Sequence, residues 1–130
     1  YGHVKLREQL GLLSGPVEEF QKSATAEHNA MLNMLVEEGY LDKAALDDEA
    51  ANENEIVDAL YRGLKGSPCK LMAASIVDAV GEKRTQNQPG TNNEYPNWRI
   101  PLADGDGNVV PLEKLFDEPR LQEITAIMRG

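Results

Sequence analysis

The stretch LMAASIV, residues 71–77, is the longest strongly apolar run in this sequence and decides between the possible folds. A short continuous apolar run is typical either of a buried strand in a parallel sheet or of a buried helix, and periodicity does not separate the two. It is far shorter than the roughly 20 residues that a membrane-spanning helix needs. The helix predicted directly before it favours a strand, as in a β–α–β unit.

Upstream of this run the pattern is helical. Asn52 followed by Glu55 resembles a capping box, and it opens a predicted helix whose apolar face ends at Gly66-Ser67-Pro68. Closer to the start, Pro16 suits the first turn of a longer helix that Gly39 ends, and a short helix precedes it. We therefore expect residues 1–66 to be helical.

Charge is concentrated in one window. The chain of 130 residues has 13 Lys and Arg against 22 Asp and Glu, a formal net charge of −9. Residues 37–58 hold nine acids and one Lys, and thus −8 of that charge. Such a balance argues against nucleic-acid binding and against docking on anionic lipid. A solvated surface connection is the simplest interpretation of the window.

Downstream of the apolar run, residues 81–111 are predicted to form a long loop, a feature that is usually functional or disordered. Within it, DGDGN at residues 104–108 resembles the start of a calcium loop. The later positions of such a loop hold Val109 and Leu115 instead of Gly and Glu, so we expect a turn between two extended pieces. After Pro111 we expect one helical turn and then a last helix that starts at Pro119.

Metal and nucleophile motifs are not indicated. The chain has one Cys and two His, and His3 and His28 lie far apart in sequence. Zinc sites need several such ligands at short spacing. Nucleophilic catalysis needs a base that activates the nucleophile, and Cys69, next to Pro68 at the start of the apolar run, is interpreted as a packed thiol. A single Cys also fits a reducing compartment, and we expect a cytoplasmic protein.

The segment TQNQPGTNNEYPNWR, residues 85–99, carries the strongest chemical signal. It contains the only Trp, a cluster of side-chain amides, and two prolines that stiffen it. Amides both donate and accept hydrogen bonds, which suits vicinal hydroxyls, and aromatic faces suit the C–H face of a sugar ring. The alternative is a rigid loop in which Trp98 plugs the core and Arg99 pairs with Glu94.

The part of this segment from Asn87 to Arg99, NQPGTNNEYPNWR, resembles the C-terminal signature of the amylomaltases, which are 4-alpha-glucanotransferases. In that family the signature reads approximately Asn-x-Pro-Gly-Thr, a short acidic and aromatic spacer, and Pro-Asn-Trp-Arg. VDAVGE, at residues 77–82, resembles the end of the last barrel strand and its exit. Residues 3–13 resemble the segment just after the catalytic His-Asp pair, except that Gly2 stands where an acidic residue is expected.

The resemblance implies a mainly α fold for this chain, as an excised C-terminal fragment of a (β/α)₈ (TIM) barrel. Its parts would be a helical segment over residues 1–66, the last barrel strand region over 67–80 with the strand itself at about 69–77, a substrate-side loop over 81–111, and closing helices over 112–130. One strand cannot close a barrel, and its edges would be unpaired. We therefore expect the strand segment to be covered by helices, to be helical itself, or to pair with a second copy.

The resemblance also implies a function. The family transfers α-1,4-glucan segments between maltooligosaccharides with retention, through carboxylates that all lie upstream of this chain, so no catalytic residue maps here. The substrate-binding residues implied are Asn87, Gln88, Pro89, Gly90, Asn97 and Trp98. Asn87 is the expected partner of a sugar hydroxyl, Gln88 and Pro89 would lie in the wall, and no metal or other cofactor is expected.

A second hypothesis stays open at this point. A small acidic helical interaction module without enzymatic activity explains the helices and the charge equally well. It does not explain the rigid loop rich in Asn, Gln, Pro and Trp.

Overall fold

The fold is known from a computed structural model that describes residues 2–130; Tyr1, the first residue of the predicted helical segment, lies outside them. The described chain is mainly helical and contains no β-strand, which confirms the predicted fold class. Its α-helices are α1 Gly2–Gln9, α2 Val17–Glu37, α3 Glu53–Gly66, α4 Ile76–Val80, α5 Leu112–Leu115 and α6 Pro119–Arg129. A 3₁₀ helix, Lys43–Asp48, lies between α2 and α3.

The chain folds into two compact units. One consists of the residues up to Met31 together with Arg84–Ile100, and the other of Leu32–Lys83 together with Pro101–Gly130. We call them the loop unit and the core unit. The division predicted from the sequence, with segments ending at residues 66, 80 and 111, follows the expected place of each segment in a barrel. It stays a prediction.

Helix α3 lies at the centre of the core unit, because its apolar side chains pack into two separate clusters with other helices. Ile56 and Ala59 belong to one buried cluster with Leu32 and Leu35 of α2. Tyr61 belongs to a second cluster, whose other buried members are Ala79 of α4 and Ile124 of α6. At roughly 1.5–3 kcal/mol for each fully buried aliphatic or aromatic side chain, these clusters supply most of the unit's driving force.

An ion pair joins α6 to α3 beside this packing. The Arg120 guanidinium donates to Asp58 Oδ1 at 2.8 Å and to the Asn54 carbonyl at 3.3 Å. It also donates to Glu123 Oε2 at 2.5 Å on its own helix. Hydrogen bonding to Asp58 raises the pKa of Arg120, so the guanidinium stays charged. The contact fixes the register of α6 against α3.

The start of α3 differs from the predicted capping box. Asn52 is the N-cap, but its side chain makes no cap hydrogen bond. Its Nδ2 instead donates to the carbonyls of Asp48 at 2.8 Å and Ala45 at 3.3 Å. The prediction of the helix start is confirmed, and the predicted capping contact is wrong: the Asn52 side chain donates to the preceding 3₁₀ helix instead of accepting from the first turn of α3.

The strand predicted at about 69–77 is not formed in the described residues. Cys69 to Ser75 have no regular secondary structure, α4 begins at Ile76, and Leu71 is 93 % exposed. A strand needs neighbouring strands to take its backbone hydrogen bonds, and the described residues form none. The part from Ile76 onward is helical, one of the outcomes expected for an unpaired strand segment.

The Tyr61 side chain, which lies outside this segment, accepts a hydrogen bond from one of its backbone N–H groups. The Ser75 N–H donates to the Tyr61 hydroxyl at 2.9 Å, and that hydroxyl donates to Asp78 Oδ2 at 2.6 Å. Burial, followed by the hydrogen bond to Asp78, raises the pKa of Tyr61. These bonds tie the entry of α4 to α3.

Residues 104–108 form the predicted turn between two extended pieces. Ala103 and Val109 make an isolated antiparallel bridge, and the Asp104 N–H donates to the Asn108 carbonyl at 2.9 Å. Hydrogen bonds from Asn108 hold the pKa of the Asp104 carboxyl below its usual value. Asp104 therefore works as a turn residue.

Candidate functional site

The candidate site is the loop over residues 85–99, which belongs to the loop unit and is shaped by hydrogen bonds. Two stretches of it run beside each other. The Trp98 N–H donates to the Gln86 carbonyl at 2.8 Å, and the Gln88 N–H donates to Asn97 Oδ1 at 2.6 Å. Residues 86–88 are therefore held against residues 97–98 by one backbone bond and one side-chain bond.

Between these stretches lies the turn formed by Gln88, Pro89, Gly90 and Thr91. Thr91 closes it, because its hydroxyl donates to the Gln88 carbonyl at 2.7 Å and its N–H reaches the same oxygen at 3.3 Å. Gly90 has a φ of +87°, in the left-handed region that favours glycine. The sequence PGT is thus what this turn requires.

Asn97 links the turn to the returning stretch. Besides accepting from the Gln88 N–H, it donates through Nδ2 to the Thr91 hydroxyl at 2.9 Å and to the Thr91 carbonyl at 3.3 Å. Its side chain is half-buried. All three of these hydrogen bonds lie within the loop itself.

Two further side chains stiffen the loop. The Tyr95 hydroxyl donates to the Thr85 carbonyl at 2.5 Å. The Glu94 carboxylate accepts from the Asn92 N–H at 2.8 Å, and this bond lowers the pKa of Glu94. Glu94 therefore stays ionised and fixes the tip of the loop.

Exposure separates the predicted site residues into two groups. Asn87, Pro89, Gly90 and Trp98 are exposed to different degrees, whereas Gln88 is 3 % exposed. The Gln88 Nε2 donates to the Pro89 carbonyl at 3.3 Å, and its buried Oε1 has no hydrogen-bond partner among the described residues. The predicted site residues thus present the Asn87 amide, the Pro89 ring, the turn at Gly90 and the Trp98 indole toward solvent, whereas Gln88 is buried.

Trp98 is the least expected of these residues. Its side chain is 76 % exposed, so the alternative in which Trp98 plugs the core is wrong. Its φ of +59° is rare for a residue with a side chain and costs of order 1–3 kcal/mol. Two hydrogen bonds of the loop hold this conformation. The Trp98 N–H donates to the Gln86 carbonyl, and the side chain of the preceding residue, Asn97, accepts from the Gln88 N–H.

The remaining chemical candidates are not brought together. Among residues 2–130 no three His, Cys, Asp or Glu side chains form a group that could hold a metal ion. Cys69 is exposed, so its interpretation as a packed thiol is wrong. The reason is that the segment around it lies open instead of forming a buried strand.

Sequence reasoning missed two partly buried polar contacts of the core unit. Tyr61 with Asp78, and Arg120 with Asp58, join residues 17 and 62 positions apart. No local spacing signals such pairs. Tyr61 at an apolar position of a predicted helix was the only available hint, because a buried tyrosine hydroxyl usually needs a partner.

The chain is similar to known proteins of one family. Residues 14–106 match the model of the 4-alpha-glucanotransferase family. The chain is 45 % identical over 127 residues to a 4-alpha-glucanotransferase of Mycobacterium tuberculosis, and 27 % identical over 122 residues to one of Haemophilus influenzae. These matches take in 98 % and 92 % of this chain, and 17 % of each relative.

A solved structure is similar as well. The crystal structure of amylomaltase from Corynebacterium glutamicum superposes with a TM-score of 0.85 at 30 % identity, over 97 % of this chain and 19 % of that one. The chain therefore belongs to the 4-alpha-glucanotransferase family, which confirms the resemblance seen in residues 87–99. It spans about 17 % of the length of the curated relatives it matches. Among residues 2–130, no helix is both long and apolar enough to cross a membrane.

Proposed function

We propose that this chain is the glucan-contacting C-terminal part of a 4-alpha-glucanotransferase, which moves α-1,4-glucan segments between maltooligosaccharides. The observation that carries the proposal is the loop over residues 85–99, in a chain whose family match includes it. There an exposed amide and an exposed indole stand on a backbone that hydrogen bonds have already fixed. Such a surface offers hydrogen bonds to sugar hydroxyls and a flat face to a sugar ring.

The chemistry we propose for the whole enzyme is a retaining double displacement. It requires a carboxylate nucleophile and a carboxylic acid about 5 Å apart, and a covalent glycosyl-enzyme forms between them. We propose that these carboxylates belong to a part of the enzyme upstream of residue 1, as the resemblance in the sequence implies. The chain by itself is then a binding element without the reacting groups, and it does not catalyse transfer alone.

A barrel explains where the loop would act. In (β/α)₈ enzymes the site is built from loops at the C-terminal ends of the strands. Residues 69–77 would become the last strand once neighbouring strands pair with it, and residues 85–99 would follow at the active face. The exposed Leu71, Met72 and Ile76 support this step, since a barrel strand buries such side chains.

We assign the contact residues by exposure. Asn87 binds a sugar hydroxyl, Trp98 offers its ring, and Pro89 with Gly90 allow close approach of the glucan. Gln88, which is buried, forms part of the wall of the glucan site. We further propose a cytoplasmic enzyme whose partner is the glucan and not nucleic acid, in line with the net charge of −9.

The test is disproportionation of maltotriose, measured as glucose release. A protein extended upstream to the length of the curated relatives should release glucose, and this chain alone should not. In the extended protein, Asn87→Ala should lower kcat/KM about 10- to 100-fold, as expected for loss of a positioned polar contact. Asn93→Ala, which removes another exposed amide of the same loop, is the matched control and should change little.

Three results would contradict the proposal. Glucose release by this chain alone would place the nucleophile among its own acids. An inactive extended protein would point to the interaction module. Equal losses for Asn87→Ala and Asn93→Ala would show that the loop does not contact glucan in the assigned manner.

Self-association of the isolated chain is a separate part of the proposal. The open apolar side chains of residues 71–76 would favour dimers at high concentration. Light scattering should show a rising average mass with concentration, and Leu71→Ser should reduce it. A monomer at all concentrations would exclude this step without affecting the glucan assignment.

A further inference from the structure

Both polar atoms of the Asn97 side chain already bond within the loop. A side-chain amide has two N–H donors and one carbonyl oxygen. The Asn97 oxygen accepts from the Gln88 N–H at 2.6 Å, and its nitrogen donates to the hydroxyl and the carbonyl of Thr91 at 2.9 and 3.3 Å. The second lone pair of Oδ1 is the only capacity left for a glucan contact, because a contact through Nδ2 would have to break a bond to Thr91.

Hydrogen bonds fix the backbone on both sides of Asn87. The residue before it, Gln86, is held through its carbonyl by the Trp98 N–H at 2.8 Å. The residue after it, Gln88, is held through its N–H by Asn97 Oδ1. The exposed side chain of Asn87 therefore projects from a backbone segment that is anchored at both ends.

Thr91 extends this arrangement to the turn. Its hydroxyl accepts from Asn97 Nδ2 and donates to the Gln88 carbonyl at 2.7 Å. Gln88 is thus held at its N–H directly by Asn97 and at its carbonyl through Thr91. A change at Asn97 would release the N–H of Gln88, which is buried, and would remove the Nδ2 donor that orients the Thr91 hydroxyl toward the Gln88 carbonyl.

We propose that Asn97 is a positioning residue, which acts through the Gln88 peptide groups to set the direction of the Asn87 side chain toward glucan. This inference rests on the proposed function, since it concerns the same site. It reassigns Asn97 from a substrate contact to the support of one. Thr91, which carried no role in the sequence prediction, becomes its partner.

The decisive experiment is a double-mutant cycle in the extended protein, with kcat and KM for maltotriose as readouts. Asn97→Ala should lower kcat/KM about tenfold or more, because a misplacement near 1 Å can cost about a hundredfold. In the Asn87→Ala background, Asn97→Ala should have almost no further effect. Coupling of this kind is expected when one residue acts only through the other.

Thr91 supplies the matched controls. Thr91→Ser keeps the hydroxyl and should retain most of the wild-type kcat/KM, whereas Thr91→Val keeps the shape, removes the hydroxyl and should fall with Asn97→Ala. A merely steric role for Thr91 would give the opposite order. These milder variants keep the proposal testable if Asn97→Ala disturbs the loop too widely.

A measurement on this chain tests the hydrogen bonds of the loop without relying on enzymatic activity. Amide hydrogen exchange by NMR should show the Gln88 N–H protected in the wild type and in Thr91→Ser, and about tenfold less protected in Asn97→Ala. The Trp98 N–H should lose less protection, since its acceptor, the Gln86 carbonyl, stays in place.

Each outcome then has one meaning. Unchanged Gln88 protection in Asn97→Ala overturns the proposed geometry. Additive losses in the cycle show that Asn97 contacts glucan on its own, which overturns the positioning role and leaves the proposed function intact. An extended wild-type protein without activity overturns the proposed function, and the positioning role with it.

Discussion

The loop at residues 85–99 and the α3–α6 pair of the core unit are stabilised in opposite ways. The loop has few buried apolar side chains and depends on individual hydrogen bonds from Asn97, Thr91 and Tyr95. The core unit depends on two clusters of buried apolar side chains, with Asp58 and Arg120 beside them.

This difference predicts different responses to mutation. Apolar packing is shared among many neighbours, so deleting one large side chain costs several kcal/mol and acts on the whole unit. A single hydrogen bond is worth about 0.5–1.5 kcal/mol, so its loss acts mainly on local geometry. A binding loop built in the second way can set the direction of a side chain without controlling global stability.

The largest effect is expected at Leu35, which is 1 % exposed. Leu35→Ala should lower the free energy of unfolding by about 2–5 kcal/mol, because it leaves a cavity in the cluster shared by α2 and α3. Urea unfolding measures this change. Met34→Ala on the same helix, at an exposed position, is the control and should cost about 1 kcal/mol or less. Similar losses for both would contradict the packing described for α2.

The next effect concerns the pair of Asp58 and Arg120, whose side chains are 16 % and 14 % exposed. Asp58→Ala should cost about 1–3 kcal/mol, because it leaves a largely buried guanidinium without its main partner. Glu123→Gln should cost less than about 1 kcal/mol, because that carboxylate is mostly solvated. Thermal unfolding of the two variants compares them directly, and the reverse order would show that Glu123 is the partner that matters.

A smaller, pH-dependent effect is expected at Tyr61. Its pKa is raised in the folded protein, whereas a tyrosine in the unfolded chain titrates near about pH 10. The stabilisation is therefore complete below about pH 10 and is lost as the pH rises through the higher folded-state pKa. Tyr61→Phe should cost about 0.5–1.5 kcal/mol at about pH 7, and the gap to the wild type should narrow above about pH 10. A gap that stays constant across this range and beyond would contradict the buried hydrogen bonds.

The smallest global effect is expected in the loop. Tyr95→Phe removes the hydroxyl that donates to the Thr85 carbonyl and should cost about 1 kcal/mol or less. Its effect should instead be local, seen as faster amide exchange in residues 85–99 and a changed emission of Trp98. A large drop in the urea midpoint would show that hydrogen bonds of the loop control global stability after all.

The helices were largely predictable from local signals. Gly39, with a φ of +76°, follows the end of α2, and Pro119 stands at the start of α6, both as the sequence indicated. Glycine and proline act on the backbone wherever they stand, so their effect needs no tertiary context. The Asn52 contact was mispredicted because an amide can either accept from the helix that follows or donate to the carbonyls that precede it, and the folded chain decides which.

The apolar run at residues 71–77 shows what local signals could not predict. Its composition indicates burial, yet burial of a strand depends on partners that the sequence of the strand does not contain. In the described chain it stays open up to Ile76, where α4 begins. Long-range pairs such as Tyr61 with Asp78 were equally beyond reach, because nothing in their spacing marks them.

By itself, the sequence determined the mainly helical fold, the turn at residues 104–108, the family and the segment at residues 85–99 as the candidate site. These follow from local backbone preferences and from a motif whose residue types suit a sugar. Only the tertiary structure decided that Trp98 is exposed, that Gln88 is buried and that Asn97 bonds within the loop. Exposure and hydrogen-bond partners depend on where distant parts of the chain meet, and neighbouring residues along the sequence do not fix that.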